Sequence, residues 1–178
     1  MTNKGVAEPA YRTLSAEAFD EMNIGKRVLR LEQSLFKPSE RWDSIEDFRD
    51  VYELPEMRRY SAEAGRKLIG FGMGANSDAV RGQFVNQDGS PSEGFENVNP
   101  GSFYLWTIGV AKFCQGRGIG STIFNMLVED AKEAGSSDLF AYLREQRAHF
   151  FGRKCELITP VRNFADTGKT YFLNRMRL

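Results

Sequence analysis

The spacing of apolar and polar residues along the chain predicts a mixture of helices and strands. Apolar residues at helical spacing follow a possible N-cap at Ser15 and predict one long helix that ends near Phe36. Shorter runs of bulky residues between turn-forming residues predict strands. The other predicted elements are strands at 11–14, 58–64, 67–75, 102–110, 138–143, 156–161 and 170–176, and helices at 44–52, 117–134 and 146–154.

The strand at 102–110 is bulky on both faces, as a central strand covered on both sides requires. It is followed by a glycine-rich turn, a helix and another strand, which is the order of a βαβ unit in a mixed α/β fold. Residues 76–100 are dense in Gly, Asn, Ser, Asp and Pro and predict a long loop, either functional or disordered. We expect a flexible N-terminus at residues 1–10 and a single domain at 11–178.

Composition narrows the class of protein. The chain has 178 residues, 41% hydrophobic and 27% charged, which suits one globular domain. No stretch has the length of a membrane span and no apolar signal core opens the chain, so we expect a cytoplasmic protein that does not enter a membrane. Cys114 and Cys155 do not have the spacing of zinc ligands, and we expect no metal.

Charge argues against a general attraction to nucleic acid, since 24 basic and 24 acidic residues cancel. The distribution is uneven, because residues 141–178 hold eight Lys and Arg against three Asp and Glu. Chance and a basic rim for an anionic ligand both explain this bias. A nucleic-acid-binding module is a weaker hypothesis, because no aromatic and basic motif accompanies the charge.

The junction between the central strand and its helix carries the strongest chemical pattern. From Gln115 to Gly120, three glycines open a helix directly after a strand. Glycine permits a tight turn and a close ligand, and the free amides of a first helical turn suit a diphosphate. A P-loop is disfavoured because no Lys-Ser/Thr pair follows, and a dinucleotide fold because over 100 residues precede the glycines. A tight turn without a ligand remains the alternative.

Gln115-x-x-Gly118-x-Gly120 matches the pattern Gln/Arg-x-x-Gly-x-Gly/Ala, and the chain resembles the GNAT superfamily of acetyl-CoA-dependent N-acetyltransferases over residues 11–178. The resemblance implies a mixed central sheet with splayed fourth and fifth strands, flanked by about four helices. It also implies acetyl transfer from acetyl-CoA to a primary amine by direct attack. It assigns pantetheine to the backbone of Ile108, Gly109 and Val110, and the diphosphate to Gln115, Gly116, Arg117, Gly118, Ile119, Gly120 and Ser121.

The catalytic groups are less well defined by the resemblance. Many family members place an Asn after strand five and a Tyr in the next helix as the acid for the thiolate. Here Gln146 is the nearest substitute for the Asn, and Phe151 stands at the Tyr position without a proton to give. The candidate bases are Glu32, Tyr104, Tyr142 and His149. Each has an ordinary alternative: a solvated helix carboxylate for Glu32, a core or rim position for the tyrosines, and a surface or packing role for His149.

The acceptor is defined only as an amine, belonging to a protein N-terminus, a lysine or a small molecule. Pro38 to Trp42 gives a slight hint of protein N-termini by resemblance. The residues that could line an aromatic pocket are Tyr52, Phe84, Phe95 and Trp106, and those that could attract a cation are Glu93 and Glu96. A monomer or homodimer is expected. The competing hypothesis is a CoA-binding sensor without turnover, which Phe151 favours.

Overall fold

The fold was analysed in a computed structural model that describes residues 8–21, 23–36, 44–86, 88–143, 155–162 and 170–178. Its strands are β1 (Ala10–Thr13), β2 (Arg58–Ala64), β3 (Lys67–Asn76), β4 (Phe103–Val110), β5 (Asp138–Leu143), β6 (Cys155–Val161) and β7 (Tyr171–Arg177). Its helices are α1 (Ala18–Glu21), α2 (Ile24–Leu35), α3 (Ile45–Tyr52), α4 (Ser77–Val80) and α5 (Ile119–Glu133). None of these helices is long and apolar enough to cross a membrane.

The seven strands form one mixed sheet in the order β1-β2-β3-β4-β5-β7-β6. β1 with β2, β5 with β7 and β6 with β7 are antiparallel, whereas β4 and β5 are parallel. Registered pairs between β4 and β5 are confined to Phe103 with Leu139 and Tyr104 with Phe140. Such limited pairing is typical of splayed strands, and the predicted fold class is confirmed.

The chain divides into two compact units, and each is described by itself. The first comprises Met1–Glu53, Arg58–Met73 and Thr107–Met126, and the second comprises Leu54–Met57, Gly74–Trp106 and Leu127–Leu178. The first therefore holds α1 to α3, the glycine-rich turn and the start of α5. The second holds the residues between β3 and β4 and the three C-terminal strands.

One sequence prediction in the first unit is wrong. The single helix expected at 15–36 is two helices, because Asn23 between them has a left-handed backbone with φ 51°. Asparagine adopts this region more readily than most residues. The Phe19 ring of α1 lies against Gly25 of α2, where a Cβ would come within 2.4 Å of the ring. Glycine at this position thus allows α1 to fold closely onto α2.

Aromatic packing forms the core of the first unit. Five contacting ring pairs among Phe19, Phe48, Tyr52 and Phe71 have centroids between 5.0 and 6.4 Å apart. Tyr52 is fully buried, and its hydroxyl donates to the Ser15 carbonyl at 3.0 Å. Tyr52 is therefore a core residue of the first unit, and its predicted part in an acceptor pocket stays a prediction.

Alternate glycines in β3 bring α5 close to the sheet. A Cβ on Gly70 would lie 2.9 Å from the Cγ2 of Ile119, and one on Gly72 would lie 2.5 Å from the Cγ2 of Ile123. Side chains on one face of a strand recur every second residue, so these glycines leave that face flat. The first turns of α5 pack directly on the β3 backbone, which positions the turn that precedes the helix.

In the second unit, the segment between β3 and β4 is folded. It contains α4, 3-10 turns at Arg81–Gln83 and Phe95–Asn97, and a bridge between Val85 and Pro91. Phe95 is fully buried and Val98 is 2% exposed. The loop predicted at 76–100 therefore contains short helical turns and contributes to the core of this unit. The predicted helix at 146–154 lies outside the described residues.

Candidate functional site

The glycine-rich turn is anchored to the sheet at its beginning. After β4, the Ala111 amide donates to the Ile69 carbonyl at 2.9 Å, and Lys112–Cys114 forms a 3-10 turn. The Gln115 side chain then donates from Nε2 to the Val110 carbonyl at 3.0 Å. These bonds close the chain onto the end of β4, so the turn begins from a fixed position. Cys114 is fully buried in this segment and packs there as a small apolar side chain.

Two glycines of the turn have backbones that favour glycine. Gly116 has φ 75° and Gly118 has φ 79°, and a Cβ on either would meet no atom within 4 Å. Left-handed backbone explains why L-residues are disfavoured there. Packing does not explain it, because the space beside both glycines is open. Gln115, Gly116, Arg117 and Gly118 are all exposed, so a ligand has access to this backbone.

Helix α5 adds backbone donors next to the open glycines. Its first hydrogen bond runs from the Thr122 amide to the Gly118 carbonyl at 2.9 Å. The amides of Ile119, Gly120 and Ser121 precede that bond, and helix geometry gives them no carbonyl partner within the helix. Free amides and the positive end of the helix dipole favour an anion. The predicted diphosphate residues thus lie in one continuous run at the start of α5, and all except the buried Ile119 are at least partly exposed.

The end of β4 carries the three residues assigned to pantetheine. Ile108 and Val110 are partly exposed, and Gly109 between them is buried. A Cβ on Gly109 would lie 3.0 Å from the Cδ1 of Leu35, the last residue of α2. A larger residue at 109 would require the end of the Leu35 side chain to shift by a few tenths of an ångström. The last residue of α2 therefore packs closely on this strand.

Glu32 lies on the buried face of α2. It is 6% exposed and shares that face with Val28 and Leu31. The alternative of a solvated carboxylate is therefore wrong. Val28 and Glu32 are four residues apart, and residues at that spacing share one helix face.

A cluster of five aromatic rings occupies the second unit. Phe84 stacks on Phe95 with centroids 4.2 Å apart and an interplanar angle of 8°. It also lies within 6.1 Å, centroid to centroid, of Tyr104, Trp106 and Tyr142. Three of the four rings predicted for an acceptor pocket are thus together, and the tyrosines predicted as catalytic candidates join them. We call these five residues the aromatic cluster.

The two tyrosines of the cluster are poor bases. Tyr104 is 3% exposed, and its burial raises the pKa well above the ordinary value, with a smaller contribution from Tyr142. Burial also raises the pKa of Tyr142, and Glu96 and Glu93 raise it further. The Tyr142 hydroxyl donates to the Glu93 carbonyl at 3.2 Å. Both phenols therefore keep their protons at neutral pH.

Three sequence candidates fall outside the described residues: Gln146, His149 and Phe151. The segment from Pro38 to Trp42 also lies outside them. Two structural features were absent from the sequence interpretation. The glycines at alternate positions of β3 were a detectable signal, since such spacing in a strand indicates a close backbone approach. The stacking of Phe84 on Phe95 left no periodic signal in the sequence.

Comparison with known proteins identifies the class to which this fold and turn belong. The acetyltransferase (GNAT) family matches residues 26–156, which covers the glycine-rich turn, β4 and β5. The chain belongs to this family, and membership supports an acyltransferase. No curated protein sequence matches the chain.

Solved structures of the same fold share little sequence with the chain. The ribosomal-protein-S18-alanine N-acetyltransferase from Escherichia coli has a TM-score of 0.65 at 14% identity, covering 96% of this chain and 94% of its own. YncA from Salmonella typhimurium, solved with its cofactor acetyl-CoA, has a TM-score of 0.61 at 13% identity, covering 97% and 95%. GphF, a GNAT-like decarboxylase in complex with isobutyryl-CoA, has a TM-score of 0.65 at 11% identity, covering 94% and 98%. At these identities the likeness shows the fold alone.

Proposed function

We propose that the chain transfers an acetyl group from acetyl-CoA to a primary amine. The observation that supports this best is the turn at Gly116 and Gly118, where left-handed backbone lies beside open space. Helix α5 begins directly after this turn, and the amides of its first turn have no carbonyl partner within the helix. A diphosphate needs hydrogen-bond donors of this kind without obstructing side chains. Acetyl-CoA, the cofactor in the YncA structure, contains a diphosphate.

The residues of the first unit fit the coenzyme at two points. The amides from Gly116 to Ser121 would hold the diphosphate, with the exposed Arg117 guanidinium available for a charge-assisted bond. The backbone of Ile108 and Val110 would pair with the pantetheine amides. The Val110 carbonyl already accepts from Gln115, and a carbonyl oxygen has a second lone pair for another donor.

Direct attack places few demands on the protein. The amine must be neutral, charge on the carbonyl oxygen must be stabilised, and the thiolate must leave. A backbone amide near Val110 would polarise the carbonyl. Tyr104 and Tyr142 are not proposed as the base, since burial raises their pKa values and keeps both phenols protonated.

Among the described residues, we propose Glu32 as the base that accepts the proton of the amine. It is the acidic residue of the buried face of α2, in the same unit as the glycine-rich turn. A carboxylate can take the proton directly or through a water molecule. The thiolate is a stable enough leaving group for solvent to protonate it, so the phenyl ring of Phe151 does not prevent turnover.

A coenzyme sensor without turnover is the second candidate function. Phe151 favours it, because the residue expected to protonate the thiolate has no acidic hydrogen. Both functions require the same diphosphate turn. They differ only in whether free CoA appears when an amine is added.

One experiment in two stages separates these functions. Acetyl-CoA is first titrated into the chain by calorimetry, and free CoA thiol is then measured with a panel of primary amines and N-terminal peptides. Transfer predicts saturable binding and amine-dependent thiol release. Binding without release across the panel supports the sensor, and an absence of binding refutes both.

A further inference from the structure

Glu63, next to the end of β2, is a buried carboxylate that faces two guanidinium groups. It is 5% exposed, and its Oε1 accepts a hydrogen bond from the Arg27 guanidinium of α2 at 2.5 Å. Its Oε2 lies 3.5 Å from the Nε of Arg12 on β1. Burial of a carboxylate is costly unless charges and hydrogen bonds compensate it, so both oxygens depend on these partners. We call these three residues the Glu63 ion-pair cluster.

Arg27 also contacts the turn that joins β2 to β3. The same nitrogen, Nη2, donates to the Arg66 carbonyl at 3.2 Å. The side chain of Arg27 is 23% exposed, so most of it is packed between the helix and this hairpin. A guanidinium group directs its donors in a rigid plane, which fixes the position of the side chain that carries it. The first turn of α2 is therefore attached to the end of β2 and to the hairpin turn by directional bonds.

The last residue of α2 contacts a different strand. A Cβ on Gly109 of β4 would lie 3.0 Å from the Cδ1 of Leu35. In the sheet, β3 separates β2 from β4, which places those two strands about 10 Å apart. From Arg27 to Leu35 the helix rises by about 12 Å. These lengths are compatible, so α2 crosses the strands from β2 to β4 and is attached near both of its ends.

Glu32, the proposed base, lies between these two attachments. It is 6% exposed on the buried face of α2, three residues before Leu35. A base must lie within about 3 Å of the nitrogen that loses its proton, or of a water molecule that links them. A buried side chain has little freedom to reorient, so the position of its carboxylate follows the position of the helix. A small displacement of α2 would therefore move Glu32 out of reach of the amine.

We infer that Glu63 is a positioning residue for the transfer reaction. Through Arg27 it fixes where α2 lies on the sheet, and thereby where the Glu32 carboxylate meets the amine. Glu63 takes no proton itself, since its two oxygens are occupied by Arg27 and Arg12. This inference rests on the proposed transfer to an amine with Glu32 as its base.

Glu63→Gln tests the inference with a minimal change of shape. An amide has one acceptor oxygen, whereas Arg12 and Arg27 each face an oxygen of the carboxylate. Release of CoA thiol is measured with the amine that the wild-type chain uses best, and CoA affinity is measured by calorimetry. We expect kcat to fall about tenfold, because misplacement of a catalytic group by about 1 Å has a large effect on rate. The affinity for CoA should stay near the wild-type value.

A double-mutant cycle with Glu32→Gln separates positioning from a general loss of structure. If Glu63 acts through Glu32, then Glu63→Gln should lower kcat by less than about twofold in the Glu32→Gln chain. A purely structural role predicts the same loss in both backgrounds. Asp20→Asn is the matched control, because it breaks the ion pair with Arg49 that joins α1 to α3 in the same unit. That variant should keep the wild-type kcat.

Hydrogen exchange of the backbone amides reports on α2 without any reaction. Glu63→Gln should reduce the protection of the α2 amides and leave that of the α3 amides unchanged, since local attachments determine local opening. Arg27→Lys keeps a cation for Glu63 and should retain most of the protection and of kcat. Arg27→Met removes that cation and should reproduce the losses of Glu63→Gln.

Three outcomes would overturn the inference: an unchanged kcat in Glu63→Gln, an equal loss in both Glu32 backgrounds, or unchanged protection of α2. A wild-type kcat in Glu32→Gln would also overturn it, while transfer itself stands. The proposed function fails in a different way. If the wild-type chain releases no CoA with any amine, transfer is refuted, and reduced protection in Glu63→Gln would show that Glu63 holds α2 without serving that reaction.

Discussion

Replacement of Gly118 tests the diphosphate turn without disturbing the core. The residue has φ 79° and open space beside it, so a new side chain meets no protein atom. An L-residue in this region costs about 1 kcal/mol, and less for Asn and Asp than for most others. Gly118→Asp and Gly118→Asn should therefore fold with similar, slightly reduced stability.

The two variants differ in charge, and so should their affinity for CoA. A carboxylate about 5 Å from a phosphate charge, at an effective dielectric constant of about 20, is repelled by roughly 3 kcal/mol. Screening at this exposed position lowers that value, and we expect Gly118→Asp to bind CoA roughly 10- to 100-fold more weakly than Gly118→Asn. Calorimetry gives both dissociation constants, and thermal unfolding checks the fold.

Gly135→Asp is the matched control, because Gly135 has φ 76°, open surroundings and a place just after the end of α5. The control introduces the same backbone strain and the same charge at the opposite end of the helix. It should leave CoA affinity near the wild-type value. Equal affinity of the Asp and Asn variants at Gly118 would refute the placement of the diphosphate there.

Three further changes test the packing around the turn and the core. Gly72→Ala should lower stability by roughly 1–3 kcal/mol, because its Cβ would lie 2.5 Å from the Cγ2 of Ile123. The same clash should shift α5 and weaken CoA binding. Thermal unfolding measures the first effect and calorimetry measures the second. Burial raises the pKa of Tyr52 to about 12, so as the pH rises the unfolded chain loses this phenol proton before the folded chain does. The stability of the wild-type chain should therefore fall between about pH 10 and 12. Tyr52→Phe should remove this loss, and denaturant titrations across that pH range measure it. Ser44→Ala should cost about 1 kcal/mol at neutral pH, because Ser44 caps α3, and urea unfolding measures it.

Each change has its own control and contrary result. Gly82→Ala matches Gly72→Ala, since Gly82 has no close neighbour and should be nearly neutral. Equal losses for these two variants would contradict the packing of α5 on β3. A Tyr52→Phe chain that still loses stability as steeply above pH 10 would show that another group titrates there. An unchanged urea midpoint for Ser44→Ala would show that the cap contributes nothing.

Local signals predicted most element boundaries. The hairpin around Gly65, the cap at Ser44 and the end of α5 before Gly135 each depend on turn or cap residues that act on their nearest neighbours. The junction of β4 and α5 was predicted for the same reason. Its glycines are needed by the backbone itself, whatever the rest of the chain does.

Features that depend on distant contacts were not predicted. The break at Asn23 accompanies the packing of Phe19 on Gly25, and apolar spacing alone continues through it. Tyr52 has the same aromatic character as Phe84, yet it belongs to the core of the first unit. Composition identifies aromatic residues that can form a pocket, but only tertiary packing assigns each one to a cluster.

A crystal structure of the chain with acetyl-CoA would show where the coenzyme binds. We predict that the diphosphate oxygens lie within hydrogen-bonding distance of the amides between Gly116 and Ser121. We also predict that the pantetheine amides pair with the backbone of Ile108 and Val110. Acetyl-CoA bound elsewhere on the chain, with the amides from Gly116 to Ser121 contacting only solvent, would contradict these predictions.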